Sequence, residues 1–231
     1  MNPILDIAIT VIVAVLAITL HEAAHGYAAM ALGDDTAKLS GRLSLNPLRH
    51  VDRVGTILLP GGLLLFQLLT LGRVVFMFGW AKPVPVNPSR FRYPRQGMAL
   101  VAAAGPAMNF GLAFLAALAM HLADAMTGPA GVLVGVALDS FIIINLALGL
   151  FNLLPIPPLD GGRIVVGLLP LALARRWARL ERAGLFLVLL VVFLLPRVSE
   201  ALGWRINPMS GVEWAVLYGH DLVLRLAGYG G

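Results

Sequence analysis

Apolar residues fall in long unbroken runs along this chain, and polar residues gather in the short intervals between them. The first run predicts a helix from about Ile4 to Leu32, stopped by Gly33-Asp34-Asp35. Residues 36–53 are polar and partly alternating, with Lys38, Ser40, Arg42 and Ser44 set against Leu39, Leu43 and Leu45. That period predicts short strands beside the membrane. The next apolar run, Val54 to Trp80, is interrupted by Pro60-Gly61-Gly62, Gly72 and Arg73. "AKPVPVNPSRFRYPR" then has to be extended or loop, because proline fixes φ and restricts the residue before it. Helices are predicted from about Gly97 to Ala125 and from about Val132 to Leu154, joined by a turn at "TGPAG" and ended by "PIPP". Asp160-Gly161-Gly162 opens a short segment that ends in the basic stretch "ARRWARLER". A further span covers about Ala183 to Leu195, and the tail 197–231 is weakly amphipathic, as if lying in the interface or partly re-entering.

Composition makes these runs membrane segments. Of 231 residues, 59% are hydrophobic and 13% charged, with a mean hydropathy of +0.86. Several runs approach the ~20 residues that cross a hydrocarbon core. The expected fold is an all-α polytopic membrane protein of about four to six membrane helices, with a re-entrant element and short β-strands near the active site. One membrane-embedded domain accounts for residues 1–231, with a core of about 4–165 and C-terminal helices over 166–231. The first run lacks a basic leader and continues into a polar motif, so it reads as a retained helix rather than a signal peptide. The chain contains no cysteine, which excludes disulfides and thiolate metal sites.

Charge supplies orientation. The net charge is +5, better read as loop charge than as a nucleic-acid footprint. Segments 33–53, 82–95 and 163–182 hold 13 of the 17 basic residues, and the "DAMTGPAG" turn holds none. The positive-inside rule puts all three segments on the cytoplasmic face. Two of them flank 54–80, so that run is expected to dip into the bilayer and return, which a broken element tolerates where protein or water covers its backbone. The reading places the protein in the inner membrane of a bacterial cell, with its site toward the cytoplasm.

The chemistry lies in His21-Glu22-Ala23-Ala24-His25, inside the first apolar run. Ionisable groups are costly there and mark function. On a helix, positions i and i+4 differ by about 40° around the axis and about 6 Å along it, so His21 and His25 can face one metal ion. Glu22 is rotated away, near enough to hold a water without being a ligand. This is the H-E-x-x-H arrangement of zinc hydrolases. Catalytic zinc takes three protein ligands, and Asp160 is the strong candidate for the third. Asp139 is the rival, but it lies in the outer part of its helix and reads as a polar group paired within the bundle. Asp6, at the start of the first helix, suits the helix dipole.

His21 to His25, together with Asn152 to Gly162 ("NLLPIPPLDGG"), resembles the site-2 protease family of intramembrane zinc metalloproteases. Asn46-Pro47 with His50 and Asp52, Gly79 to Pro88, and Ala104 to Asn109 add to the likeness, which spans about residues 10–165. It resembles a minimal form without PDZ or CBS domains. Arg53 departs from it, standing where similar sequences often have proline. The resemblance implies one Zn2+ held by His21, His25 and Asp160, with Glu22 activating water. It implies that Asn152 steadies the substrate or the oxyanion, in keeping with an amide that could donate to a carbonyl oxygen. The implied partner is a transmembrane protein in the lipid bilayer, such as an anti-sigma factor or another membrane-tethered regulator, with no nucleic acid. The alternatives are a membrane metal-ion transporter and a non-catalytic metal-binding relative.

A protease needs its substrate extended. The 54–80 run and "GWAKPVPVNP" are nominated as the strand edge that captures it, with Phe78 as the position whose change to proline would disrupt that edge. His50 and Asp52 either hold this loop near the metal or form a solvated pair. His121 and His220 read as interface or tail residues.

Overall fold

The computed structural model describes residues 3–72, 79–204 and 207–229. Among the described residues ten α-helices follow one another: α1 Pro3–Ala31, α2 Thr36–Leu39, α3 Leu59–Leu71, α4 Pro94–Asp124, α5 Pro129–Asn152, α6 Asp160–Leu168, α7 Leu171–Arg179, α8 Gly184–Leu189, α9 Leu195–Ala201 and α10 Pro208–Leu224. π turns precede α3 (Arg53–Leu58) and join α8 to α9 (Leu190–Leu194). Four segments, Ile4–Ala31, Arg53–Thr70, Pro94–Asp124 and Pro129–Asn152, are long and apolar enough to cross a membrane, and the bent pair 171–183 and 186–201 makes a fifth if counted as one span. The protein is an integral membrane protein.

The centre of the bundle is α4 against α5, with α1 and α10 on either side. Ala113, Ala116 and Ala117 of α4 are buried against Ile142 and Leu146 of α5, with Val216 of α10 closing the cluster. Small residues let helices approach where lipid removes any hydrophobic drive between them. Cross-helix contacts give the directions. His21 meets Asn109, and His25, one turn later in α1, meets Val101, about two turns back along α4. α1 and α4 are therefore antiparallel, as are α4 and α5 across their four-residue turn. α1 and α5 consequently run the same way, and their C-terminal ends share one end of the bundle.

The end of α1 and the start of α4 also lie together. Asp34, fully buried, accepts from the Thr36 and Asn87 backbone N–H groups and from the Thr36 hydroxyl, and Arg90 lies beside it and paired to Asp35. Burial alone raises its pKa, but these hydrogen bonds and the Arg90 charge outweigh that and hold it below the usual carboxylate range. The 53–80 excursion starts and finishes at one place too, since the Trp80 N–H donates to the Gly55 carbonyl at 3.0 Å. The chain thus goes out along α3 and returns, although Arg53–Thr70 alone has the length of a span.

One expectation is corrected. None of the described residues forms a strand. Residues 36–45 begin as the short α2, and 79–87 is extended without a ladder. Prolines 83 and 85 remove N–H donors, and others bind outside any ladder: Trp80 to the Gly55 carbonyl, Lys82 to the His50 carbonyl and Val84 to the Glu22 carboxylate. The nominated Phe78 lies outside the described residues. The tail contains the helix α10, whose Val216 enters the core and whose His220 pairs with Asp139 at 2.8 Å.

Asp34→Ala is expected to release the 82–90 segment and cost about 2–3 kcal/mol, the scale of charge-assisted hydrogen bonds. The thermal unfolding midpoint in detergent checks it. For the wild type, the depressed Asp34 pKa means that this contribution is present above the unfolded value of ~3.9 and fades as pH falls through the folded value.

Candidate active site

Each site residue is set by the helix that carries it. His21 and His25 project from α1 toward α4, and their Nε2 atoms are 3.1 Å apart. Asp160 opens α6, after the turn that ends α5. Its Oδ2 lies 3.1 Å from His21 Nε2 and 3.4 Å from His25 Nε2. The structure thus brings together two motifs far apart in the sequence, in surroundings that leave these side chains 6%, 12% and 9% exposed.

The hydrogen bonds behind the histidines decide what these three atoms are. The Phe141 carbonyl can only accept, so the Asn145 amide nitrogen donates to it, at 2.9 Å. The Asn145 oxygen then accepts from the Asn109 amide nitrogen at 2.8 Å, and the Asn109 oxygen faces His21 Nδ1 at 2.6 Å. His21 therefore carries its proton on Nδ1. His25 Nδ1 faces the Val101 carbonyl at 2.7 Å and is a donor for the same reason. In the neutral imidazoles both Nε2 atoms are left as bare lone pairs. Together with Asp160 Oδ2, a buried atom without a hydrogen-bond partner, they form a triangle of acceptors with edges of 3.1, 3.1 and 3.4 Å. Tetrahedral zinc with bonds of ~2.0–2.1 Å separates its donors by about 3.3 Å. Two imidazoles and one carboxylate of this size and polarity fit zinc, and carbonyl or amide support behind each imidazole is how such ligands are held.

Glycines make the approach possible. A Cβ on Gly105 of α4 would stand 2.5 Å from His25 Cε1 and 2.6 Å from His21 Cε1. A Cβ on Gly161 would stand 2.2 Å from the Leu153 carbonyl oxygen, so the turn after α5 can fold back onto the start of α6 only over a glycine.

Glu22 occupies the neighbouring position. Its ligand atoms and those of His21 and His25 all lie within 4.8 Å of one another. Oε2 accepts from the Val84 N–H at 3.0 Å, which anchors the carboxylate to the extended segment. A cavity of about 430 Å³ opens here, with His21, Glu22, Asn152, Trp80, Ala81 and Leu159 among its walls. Asn152 donates to the Leu148 carbonyl within its own helix at 3.0 Å. It lines the cavity without touching the histidines or Asp160.

Other candidates stand apart. Asp139, as expected, is paired within the bundle, though half its carboxylate is accessible. His50 is buried and holds the Ser44 carbonyl, and Asp52 caps the π turn at Val54 and Gly55, so they are not a solvated pair and neither reaches the metal donors. His121 holds the Ala227 carbonyl. Sequence reading missed Asn145 and gave no role to Asn109, Val101 or Gly105. The available signal was two asparagines in apolar spans, each needing a partner there.

Comparison with known proteins agrees with this chemistry. Residues 131–195 match the model of peptidase family M50, a stretch that includes Asp160. A Bacillus subtilis (strain 168) protein named "Putative zinc metalloprotease YwhC" is 40% identical over 220 residues, covering 94% of this chain and 89% of its own. A Mycolicibacterium smegmatis (strain ATCC 700084 / mc(2)155) protein named "Putative zinc metalloprotease Rip2" is 30% identical over 193 residues, covering 80% of this chain and 66% of its own. No solved structure matches the chain.

Gly105→Val is expected to push the imidazoles apart and lower zinc content sharply, while Gly111→Val, with nothing within 4 Å of its Cβ, leaves it unchanged. Metal analysis of the two purified variants checks the pair.

Proposed function

This chain belongs to peptidase family M50, the site-2 protease family, and on that premise we propose that it is an intramembrane zinc protease that hydrolyses a peptide bond in or beside the transmembrane segment of another membrane protein. The observation that carries the reading is the triangle of buried acceptors beside an anchored carboxylate at the wall of a cavity. His21, His25 and Asp160 would hold the zinc. Bound there, zinc supplies Lewis acidity toward water and the peptide carbonyl.

The rest of the work belongs to this chain's own groups. Glu22 takes the proton of the attacking water at its carboxylate and passes it to the amine nitrogen as that leaves. The Val84 N–H keeps the carboxylate turned toward the cavity. Asn152, on the cavity wall, is placed to donate from its amide to the substrate carbonyl oxygen as charge develops. The extended segment positions the substrate. Trp80 and Lys82 donate their backbone N–H groups away from the cavity, to Gly55 and His50. Ala81 between them lines the cavity, and neither its N–H nor its carbonyl has a partner among the described residues. An unwound substrate strand adds to the chain there by main-chain hydrogen bonds.

The three basic segments favour the cytoplasmic leaflet of a bacterial inner membrane for this end of the bundle, and a membrane-tethered regulator such as an anti-sigma factor is the class of substrate. The arrangement favours proteolysis over metal transport because the metal donors gather at one end of the bundle, with a carboxylate in the position of a general base beside them.

Glu22→Gln is expected to lower proteolysis of a reconstituted transmembrane substrate by roughly a hundredfold or more, with zinc content unchanged. A variant that still cuts at the wild-type rate would contradict the assignment.

A further inference from the structure

Beyond the metal centre, the least partnered chemistry on the molecule is the face of α7. At 100° per residue, Arg175, Arg176 and Arg179 fall within an arc of about 100°, with Leu180, Leu173 and Trp177 beside it over about the next 100°. Arg182 follows on the next turn. All four arginines are exposed, and none has an acidic partner among the described residues. The one carboxylate between 163 and 182 is Glu181, and Arg163 already holds it at 2.9 Å. The leucines are uncovered too, Leu173 by 50% and Leu180 by 39%, while Ala174 is buried against the protein. One short helix therefore presents a cationic edge, whose only polar contact among the described residues is a 3.4 Å hydrogen bond from Arg179 Nε to the Arg175 carbonyl, beside an uncovered apolar edge.

The setting bears on how this helix lies. The segment 171–183 is bent by 80° from the apolar run 186–201 that follows it. If that run stands along the bilayer normal, α7 lies nearly in the plane of the interface. Its N-terminal hinge is tied down by Arg95, which donates to the Leu169 carbonyl at 2.9 Å, and by Gly167, where a Cβ would stand 2.3 Å from Ala99 of α4.

We propose that α7 is an interfacial helix whose arginine edge binds the phosphates of anionic phospholipid headgroups, with Leu173 and Leu180 set into the acyl boundary. Guanidinium groups match phosphate oxygens two at a time, and a basic amphipathic helix gains from both its edges at such a surface. The exposed leucines beside the arginines decide for an amphiphile. A soluble acidic partner would neutralise the arginines and leave the leucines in water. This inference rests on the membrane location of the chain and is independent of its peptidase chemistry.

The test measures association of spin-labelled phosphatidylglycerol and phosphatidylcholine with the full chain in phosphatidylcholine bilayers, for wild type and for the combined variant R175Q/R176Q/R179Q/R182Q, with zinc content and helical signal as controls. The wild type is expected to select phosphatidylglycerol by roughly threefold or more at low salt, falling as salt rises, and the variant to lose most of that preference. Should the combined variant lose its fold, the pair R176Q/R179Q is read instead and is expected to reduce the selectivity by about half. No selectivity in the wild type, or equal selectivity in wild type and variant, overturns the proposal and leaves the arginine edge to an acidic protein segment. Selectivity abolished by millimolar inorganic phosphate at constant ionic strength also overturns it, by making the edge a free-phosphate site.

Discussion

Three buried atoms that can only accept hydrogen bonds meet within 3.4 Å of one another, and much of the structure is arranged to hold them there. Like-polarity lone pairs at this distance repel unless a cation lies between them, and one proton can bridge a single edge of the triangle but not all three. The fold supplies the constraint from behind. The Phe141 carbonyl sets the direction of the asparagine ladder, the ladder sets the His21 tautomer, and the Val101 carbonyl does the same for His25. The metal reading therefore rests on a chain of hydrogen-bond polarity as well as on the identity of the motif.

The same constraint organises the topology. The donors come from α1 and from the turn after α5, so both helices must deliver their C-terminal ends to one end of the bundle. The antiparallel α1–α4 and α4–α5 pairs achieve this only if the chain between α1 and α4 returns to the end it left. Asp34 with Asn87 and Arg90, and Trp80 with Gly55, are the contacts that close this return. That return also brings the extended 80–87 segment past Glu22, with its N–H at Val84 on the carboxylate. The backbone lining the cavity at Trp80 and Ala81 and the Glu22 carboxylate are thus fixed by one loop.

Much of this was legible in the sequence because membrane burial is a strong signal. Long apolar runs place α1, α4 and α5 within a few residues of their observed limits. The i, i+4 histidines and the lone strong carboxylate at Asp160 announce a metal site because each is costly in its surroundings. Polar alternation at 38–45 misled, since a period of two in a short loop reflects side-chain placement around turns as readily as a strand. Proline content in 83–88 permits an extended chain but cannot say that its Val84 and Asn87 N–H groups go to the Glu22 and Asp34 carboxylates. The docking of α10 has little local signal, because only one side of it is buried and that side meets α5 through contacts that no local pattern encodes. Asn145 and Gly105 were silent for the same reason: their roles exist only once α4 lies against α1 and α5.

Zinc content of the purified protein, wild type beside Asp160→Ala, tests the central claim most directly. About one zinc per chain is expected in the wild type and a sharp loss in the variant, because removing Asp160 takes one corner from the donor triangle while the asparagine ladder and helix packing stay intact. A well-folded wild type without zinc, or a variant that binds it as tightly, would contradict the assignment of His21, His25 and Asp160 to one metal centre.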